Sequence, residues 1–260
     1  LYRAADYVTR HPHLELVELN SFGCGLDAVV TDQVQEIMHQ RGRLYTCLKI
    51  DQSLNLGAVR IRLRSLKAAI EERGEETGSA KPIEYPKAVF TEAMKRDKDY
   101  TILAPEMSPI HFPIIEAAVQ REGYHIEIIP PIHEDIDKGL SCVNNDACYP
   151  AIITIGSLMR ALTSGKYDLS KTAVMLSQTG GMCRASNYVG FLHKALDEAG
   201  LSDIPVISLN THGFEPQPGF HFSLSMGRRM IQAVIYGDAL QQCLYRTRPY
   251  EKEPGSAETL

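Results

Sequence analysis

Tryptophan is absent from the 260 residues, and aromatic residues make up only 7% of them. Flat platforms for stacking nucleic-acid bases are therefore not expected. An excess of positive charge is missing as well. The formal net charge is −5 and the isoelectric point about 6.0, so no basic field draws in nucleic acid or an anionic lipid surface. No apolar run reaches the roughly 18–20 residues that a membrane-spanning helix needs. The opening residues, LYRAAD, lack the basic segment and apolar core of an export signal. With Leu1 falling inside a helical pattern, the expectation is a piece of a longer protein that works in the cytoplasm.

Several chemical spellings are lacking too. There is no CxxC, no His pair at zinc-binding spacing, no GxSxG or Ser/His/Asp signature and no P-loop or comparable glycine-rich nucleotide motif. These absences argue against a local zinc finger, a hydrolase of common spelling and a nucleotide-binding loop. No catalytic residue can be named on sequence alone.

What is present is an ordinary globular composition, 44% hydrophobic and 23% charged, in an alternating order of strands and helices. A strand at 14–19 runs into a helix over 26–40, with apolar residues at Leu26, Val29, Val30, Val34, Ile37 and Met38, and Gly42 closes it. A strand at 44–50 and an Arg-rich helix at 56–73 follow. Residues 71–86, EERGEETGSAKPIEYP, break the period with charge, glycine and proline, as a linker does. Strands then fall at 101–104, 125–129, 173–177 and 205–209. Helices fall at 114–122, 151–163, 188–199 and 220–246. The order predicts an α/β protein with parallel sheets and crossover helices. The expected layout is an N-terminal α/β lobe over 1–75, a linker and connecting helix over 76–98, a C-terminal α/β lobe over 99–248 and a flexible tail over 249–260.

Six cysteines are present: Cys24, Cys47, Cys142, Cys148, Cys183 and Cys243. In a chain of this size without an export signal, metal binding or buried thiols are favoured over disulfides. Cys24, Cys148 and Cys183 each lie in or after a loop that leaves a strand and enters a helix. Parallel strands present such loops at one edge of the sheet, where ligands bind in these folds. Gly23 and Gly25 flank Cys24, and Gly180 and Gly181 precede Cys183, which lets the backbone approach a ligand. Pro150 suits the first turn of a helix and leaves Cys148 just outside its N-terminus. Helix N-termini favour thiolates and donate hydrogen bonds to cluster sulfur. Three such thiolates suit an iron–sulfur cluster with one open iron. Cys47, inside a strand, and Cys243, inside a helix, read as small buried apolar side chains. Cys142 is either a fourth ligand or a spectator.

Other candidates are secondary. Arg184 directly follows Cys183 and is placed for an anion or the cluster. Glu106, followed by Met107, Ser108 and His111, also leaves a strand toward the same edge; it is a candidate acid, with loop structuring as the plainer role. Asn145 and Asp146 suit the turn before Cys148. Tyr149 and Tyr188 offer hydroxyls or packing. Arg60, Arg62 and Arg64 read as a solvated basic face more than a phosphate site, and His212 and His221 are isolated histidines near a strand end.

Four segments, NSFGCGLDA (20–28), LKID (48–51), NDACYPA (145–151) and QTGGMCRASNY (178–188), resemble the 2-hydroxyacyl-CoA dehydratase group. The closest likeness is to the C-terminal region of the large acyl-CoA dehydratase activase-related proteins, and it extends over about residues 14–240. The resemblance implies Rossmann-like lobes around an iron–sulfur cluster, [4Fe-4S] or a larger double cluster, held by Cys24, Cys148 and Cys183. It also implies a lyase or reductase component, an ATP-dependent activase in cis or in trans that injects an electron, and an acyl-CoA substrate. Two alternatives stay open at this point: a non-catalytic scaffold or docking domain of a larger protein, and a zinc–thiolate site on the same cysteines.

Overall fold

The apolar runs expected as strands do form two parallel sheets. The computed structural model describes residues 1–20, 27–50, 56–73, 88–143, 147–178, 183–210 and 217–258. Strands β1 (Leu16–Asn20) and β2 (Tyr45–Lys49) pair in parallel, Leu16 opposite Tyr45. Strands β3 (Thr101–Pro105), β4 (Ile126–Ile129), β5 (Thr172–Gln178) and β6 (Val206–Asn210) form a second parallel sheet in the order β4-β3-β5-β6. The protein is thus α/β with parallel sheets and crossover helices, of Rossmann-like build. β1 and β2 fall within 1–75, and β3 to β6 within 99–248.

Helices α1 (Tyr2–Thr9), α2 (Asp27–Gln40) and α3 (Leu56–Arg73) accompany the small sheet. Its core is Ala5, Val8, Val34 and Met38, supplied by α1 and α2. A short helix α4 (Glu92–Arg96), capped by Thr91, lies where a connecting helix is expected, whereas the linker residues 74–87 fall outside the described residues.

The large sheet is covered on both faces. Helices α5 (His111–Gln120) and α9 (Leu224–Thr247) lie on one side. Helices α6 (Glu134–Leu140), α7 (Tyr149–Thr163) and α8 (Tyr188–Glu198) lie on the other. Alternate side chains divide accordingly: Ile102, Ala104, Ala173 and Met175 join the α5/α9 core, while Leu103, Val174 and Leu176 join the α7/α8 core. The side switch has a simple cause. The chain moves from β3 to β4 in one direction, then crosses back over β3 to β5 and on to β6. Right-handed crossovers put helices on opposite faces when the direction of travel reverses. The reversal lies between β3 and β5, so the carboxyl ends of these two strands flank the switch point.

Helix α7 anchors its layer. Ile155, Leu158, Met159 and Leu162 are all buried, each worth roughly 1.5–3 kcal/mol of apolar burial. Short α6 is held against it by glycines: a Cβ at Gly139 would strike the Ile152 carbonyl, and one at Gly156 the Asp135 carbonyl. Buried Asp135 is then fixed by Arg160, whose Nε donates at 2.5 Å, and by the Ile132 N–H at 2.8 Å.

Several boundaries differ from expectation for local reasons. α5 starts at His111 rather than 114 because Pro113 is tolerated in a first turn. α9 starts at Leu224 rather than 220 because Ser223 caps it, its Oγ accepting from Met226 N–H at 2.9 Å. α6 is too short to show a period. Within the expected tail, Glu251 accepts from the N–H groups of Gly255 and Ala257, and Arg248 pairs with Glu258 at 3.2 Å. Among the described residues no helix is long and apolar enough to cross a membrane.

Candidate functional site

Helices α7 and α8 both run back along the sheet, so their N-termini lie at the carboxyl edge. Cys148 is the N-cap of α7 in extended backbone, φ −67° and ψ 150°, with Pro150 in the first turn. Cys183 is the N-cap of a 3-10 turn, Arg184–Asn187, which feeds directly into α8 at Tyr188. Buried Tyr188 joins the two starts: its hydroxyl lies 3.8 Å from Cys148 Sγ. Cys148 is half-buried and Cys183 exposed. Half-buried Cys142, its Sγ 3.6 Å from Ser141 Oγ, packs against the same α7/α8 core as Cys148 and Ala185.

The 3-10 turn is tied to the sheet by groups that sequence reasoning missed. Gln178, the last residue of β5, donates through Nε2 to the Ser186 carbonyl and accepts through Oε1 from Ser208 Oγ of β6 at 3.3 Å. Ser186 folds back onto the Cys183 carbonyl through its hydroxyl at 2.6 Å and its N–H at 3.0 Å. Asn187 lies over Gly190, where a Cβ would meet its Oδ1 at 2.7 Å. No local signal marks Gln178, because its partner Ser208 lies on another strand. Helix α2, which follows the Cys24 segment in sequence, approaches this 3-10 turn.

The other sequence candidates distribute as follows. Cys24 lies outside the described residues, as do Asn145, Asp146, His212 and the side chain of Arg184. Glu106 continues the edge of β3, its N–H donating to the Ile129 carbonyl at 2.9 Å. Tyr149 is exposed. Arg62 donates to the Cys47 carbonyl at 2.9 Å and so ties α3 to β2. His221 Nε2 contacts Glu92 at 2.7 Å. Cys47 is half-buried in β2. Cys243 corrects the expectation of burial: it is exposed on α9, beyond Gly237, the last buried residue of that helix.

Two further polar clusters have no local sequence signature. In the small sheet, buried Glu18 accepts from Thr31 at 3.1 Å and from the Tyr45 hydroxyl at 2.7 Å. Burial first, then the Glu18 hydrogen bond, pushes the Tyr45 phenol far above its usual range. Beyond β3, His111 Nδ1 meets Ser108 Oγ at 2.8 Å and His111 Nε2 meets Asp238 Oδ1 at 3.0 Å. This Ser/His/Asp set is a strut between α5 and α9 rather than a buried relay, because Asp238 is 69% exposed. Gly237 makes room for the imidazole.

Among the described residues no group of three His, Cys, Asp or Glu side chains is gathered as a metal site. The donors at the edge, Cys148 and Cys183 with Cys142 nearby, are soft thiols at chain turns into helices, a donor type that suits iron–sulfur or zinc. Comparison with known proteins finds no matching family model, no matching curated protein and no matching solved structure.

Proposed function

We propose that the chain is the iron–sulfur-cluster-binding module of a 2-hydroxyacyl-CoA dehydratase-like or activase-related redox protein, acting in the cytoplasm. One observation carries the reading: at the carboxyl edge of the large sheet Cys148 caps α7 and touches Tyr188, the first residue of α8, while Cys183 caps the 3-10 turn that leads into α8. Cys148, Cys183 and Cys24 are the proposed thiolates, with Cys142 as an additional one. A cluster bound there supplies low-potential one-electron chemistry, received from an ATP-dependent activase in cis or in trans. The protein's own part is to orient the thiolates, offer backbone N–H groups around them, and keep Tyr188 and Gln178 in place behind them. Glu106 and Arg184 are the proposed acid and anion-binding groups for an acyl-CoA.

Anaerobic reconstitution with iron and sulfide tests this. The expected product is brown, with iron and sulfide in cluster stoichiometry. A Cys148→Ser variant is expected to lose most of both. Colourless wild-type protein after reconstitution sinks the proposal, and stoichiometric zinc in its place selects the zinc–thiolate alternative.

A second reading, a docking module without a cluster, is favoured by the outer face of α9. There Ile231 and Ile235 are each 63% exposed. It calls for colourless protein and for partner binding that Cys148→Ser leaves unchanged.

A further inference from the structure

We infer that the large sheet carries a second site, on the face away from Cys148, which takes the uncharged apolar part of a small ligand. It goes beyond the proposed function and uses none of the cysteines. Between α5, α9 and the carboxyl halves of β3 and β5 lies a cavity of about 170 Å³. Its inner wall is Val119, Met175, Phe220 and Met226, all buried. Its lips are Met107 and Phe222, 49% and 47% exposed, so the cavity reaches the surface through apolar side chains.

Protein cores seldom leave voids larger than a water molecule. This space adjoins the α5/α9 core and opens at the sheet edge where α/β proteins bind ligands. A cavity of about 150 Å³ lined by apolar side chains stays dry and accepts benzene, which sets the size of the ligand group: a single ring or a short branched alkyl chain. The chemical class follows from the lining. Among the described lining residues Ser177 alone carries a polar side-chain group. A charged group entering would lose its water without replacement. Methionine lining, at Met107, Met175, Met226 and Met230, adapts to the shape of what enters. The Ser108–His111–Asp238 strut sits in the same stretch of chain as the lip residue Met107 and joins the two helices that bound the cavity.

The test uses the full chain with 13C-labelled methionine methyl groups, titrated with benzene. Saturable shifts are expected at Met107, Met175, Met226 and Met230, with Met38 and Met159, which belong to other core clusters, unmoved. Ala104→Leu pushes extra carbons into the cavity from β3 and is expected to weaken binding more than about tenfold, since a filled cavity holds no ligand. Met230→Trp, from a half-buried wall position, serves the same purpose if Ala104→Leu does not fold. Cys148→Ser is expected to bind benzene like the wild type, and benzoate is expected not to bind. The inference is overturned by no saturable shift up to the solubility of benzene, by equal shifts at Met38 and Met159, by undiminished binding in the folded filled variant, by benzoate binding as well as benzene, or by loss of benzene binding in folded Cys148→Ser.

Discussion

Glu127 of β4 shows how a single residue secures the large sheet. Burial pushes its carboxyl up, but hydrogen bonds from Lys166 Nζ at 2.5 Å and Tyr167 Oη at 2.7 Å outweigh this and hold it below the usual carboxylate range. Neighbouring Glu116 moves the other way, raised first by its own burial and then by the Glu127 charge. A lowered folded value means that the unfolded chain binds the proton more readily. Glu127 therefore stabilises the fold above the unfolded carboxylate value of about 4.3, and that contribution is lost as pH falls through the folded value. Glu127→Gln is expected to lower stability at pH 7 by less than about 1 kcal/mol, because the pair is largely solvated. Denaturant titrations of both proteins should converge below roughly pH 4; a gap that widens in acid contradicts the assignment. Cys148, unlike Glu127, was readable from its own neighbours, since proline two residues on marks a first helical turn. Gln178 and Asp238 were not, because each is defined by partners distant in sequence.

At the scale of elements, the α6–α7 contact positions both Cys142 and Cys148, which stand at the C-terminal end of one helix and the N-terminal end of the other. Gly139 and Gly156 let the two backbones touch, and the obstacle to any added carbon is main chain, which cannot rotate away. Gly156→Ala is therefore expected to destabilise by about 1–3 kcal/mol, despite the better helix propensity of alanine. Thermal unfolding should fall by about 2–4 °C for each kcal/mol. An unchanged or raised midpoint would falsify the close-packing account. Long periodic elements were legible, α3 with its full span 56–73. The sequence hid α6, whose seven residues show acids in the first turn but no full apolar period.

Over the whole molecule, strand order was the part that sequence could not supply, since parallel pairing joins segments by contacts that leave no local pattern. The order puts β3 and β5 inside the large sheet, each paired on both sides. Among the described residues the small sheet has two strands and a core cluster of four buried side chains. Two-stranded sheets are marginal by themselves. Native-state hydrogen exchange is expected to be slowest at amides of β3 and β5 and faster across β1 and β2. Equal protection of β1 and β5 would show one cooperative unit instead.

The approach of α2 to the Arg184–Asn187 turn carries a kinetic consequence. The two segments stand about 150 residues apart, so joining them closes a long loop whose entropy cost grows with the logarithm of its length. Contacts of that separation form late, after local helices and the nearer strand pairs. The starts of α7 and α8, joined by the Cys148–Tyr188 contact, can come together early in folding. The first part of the chain docks late, so the surface of the Arg184–Asn187 turn that α2 covers is open to solvent and solutes until assembly is almost complete.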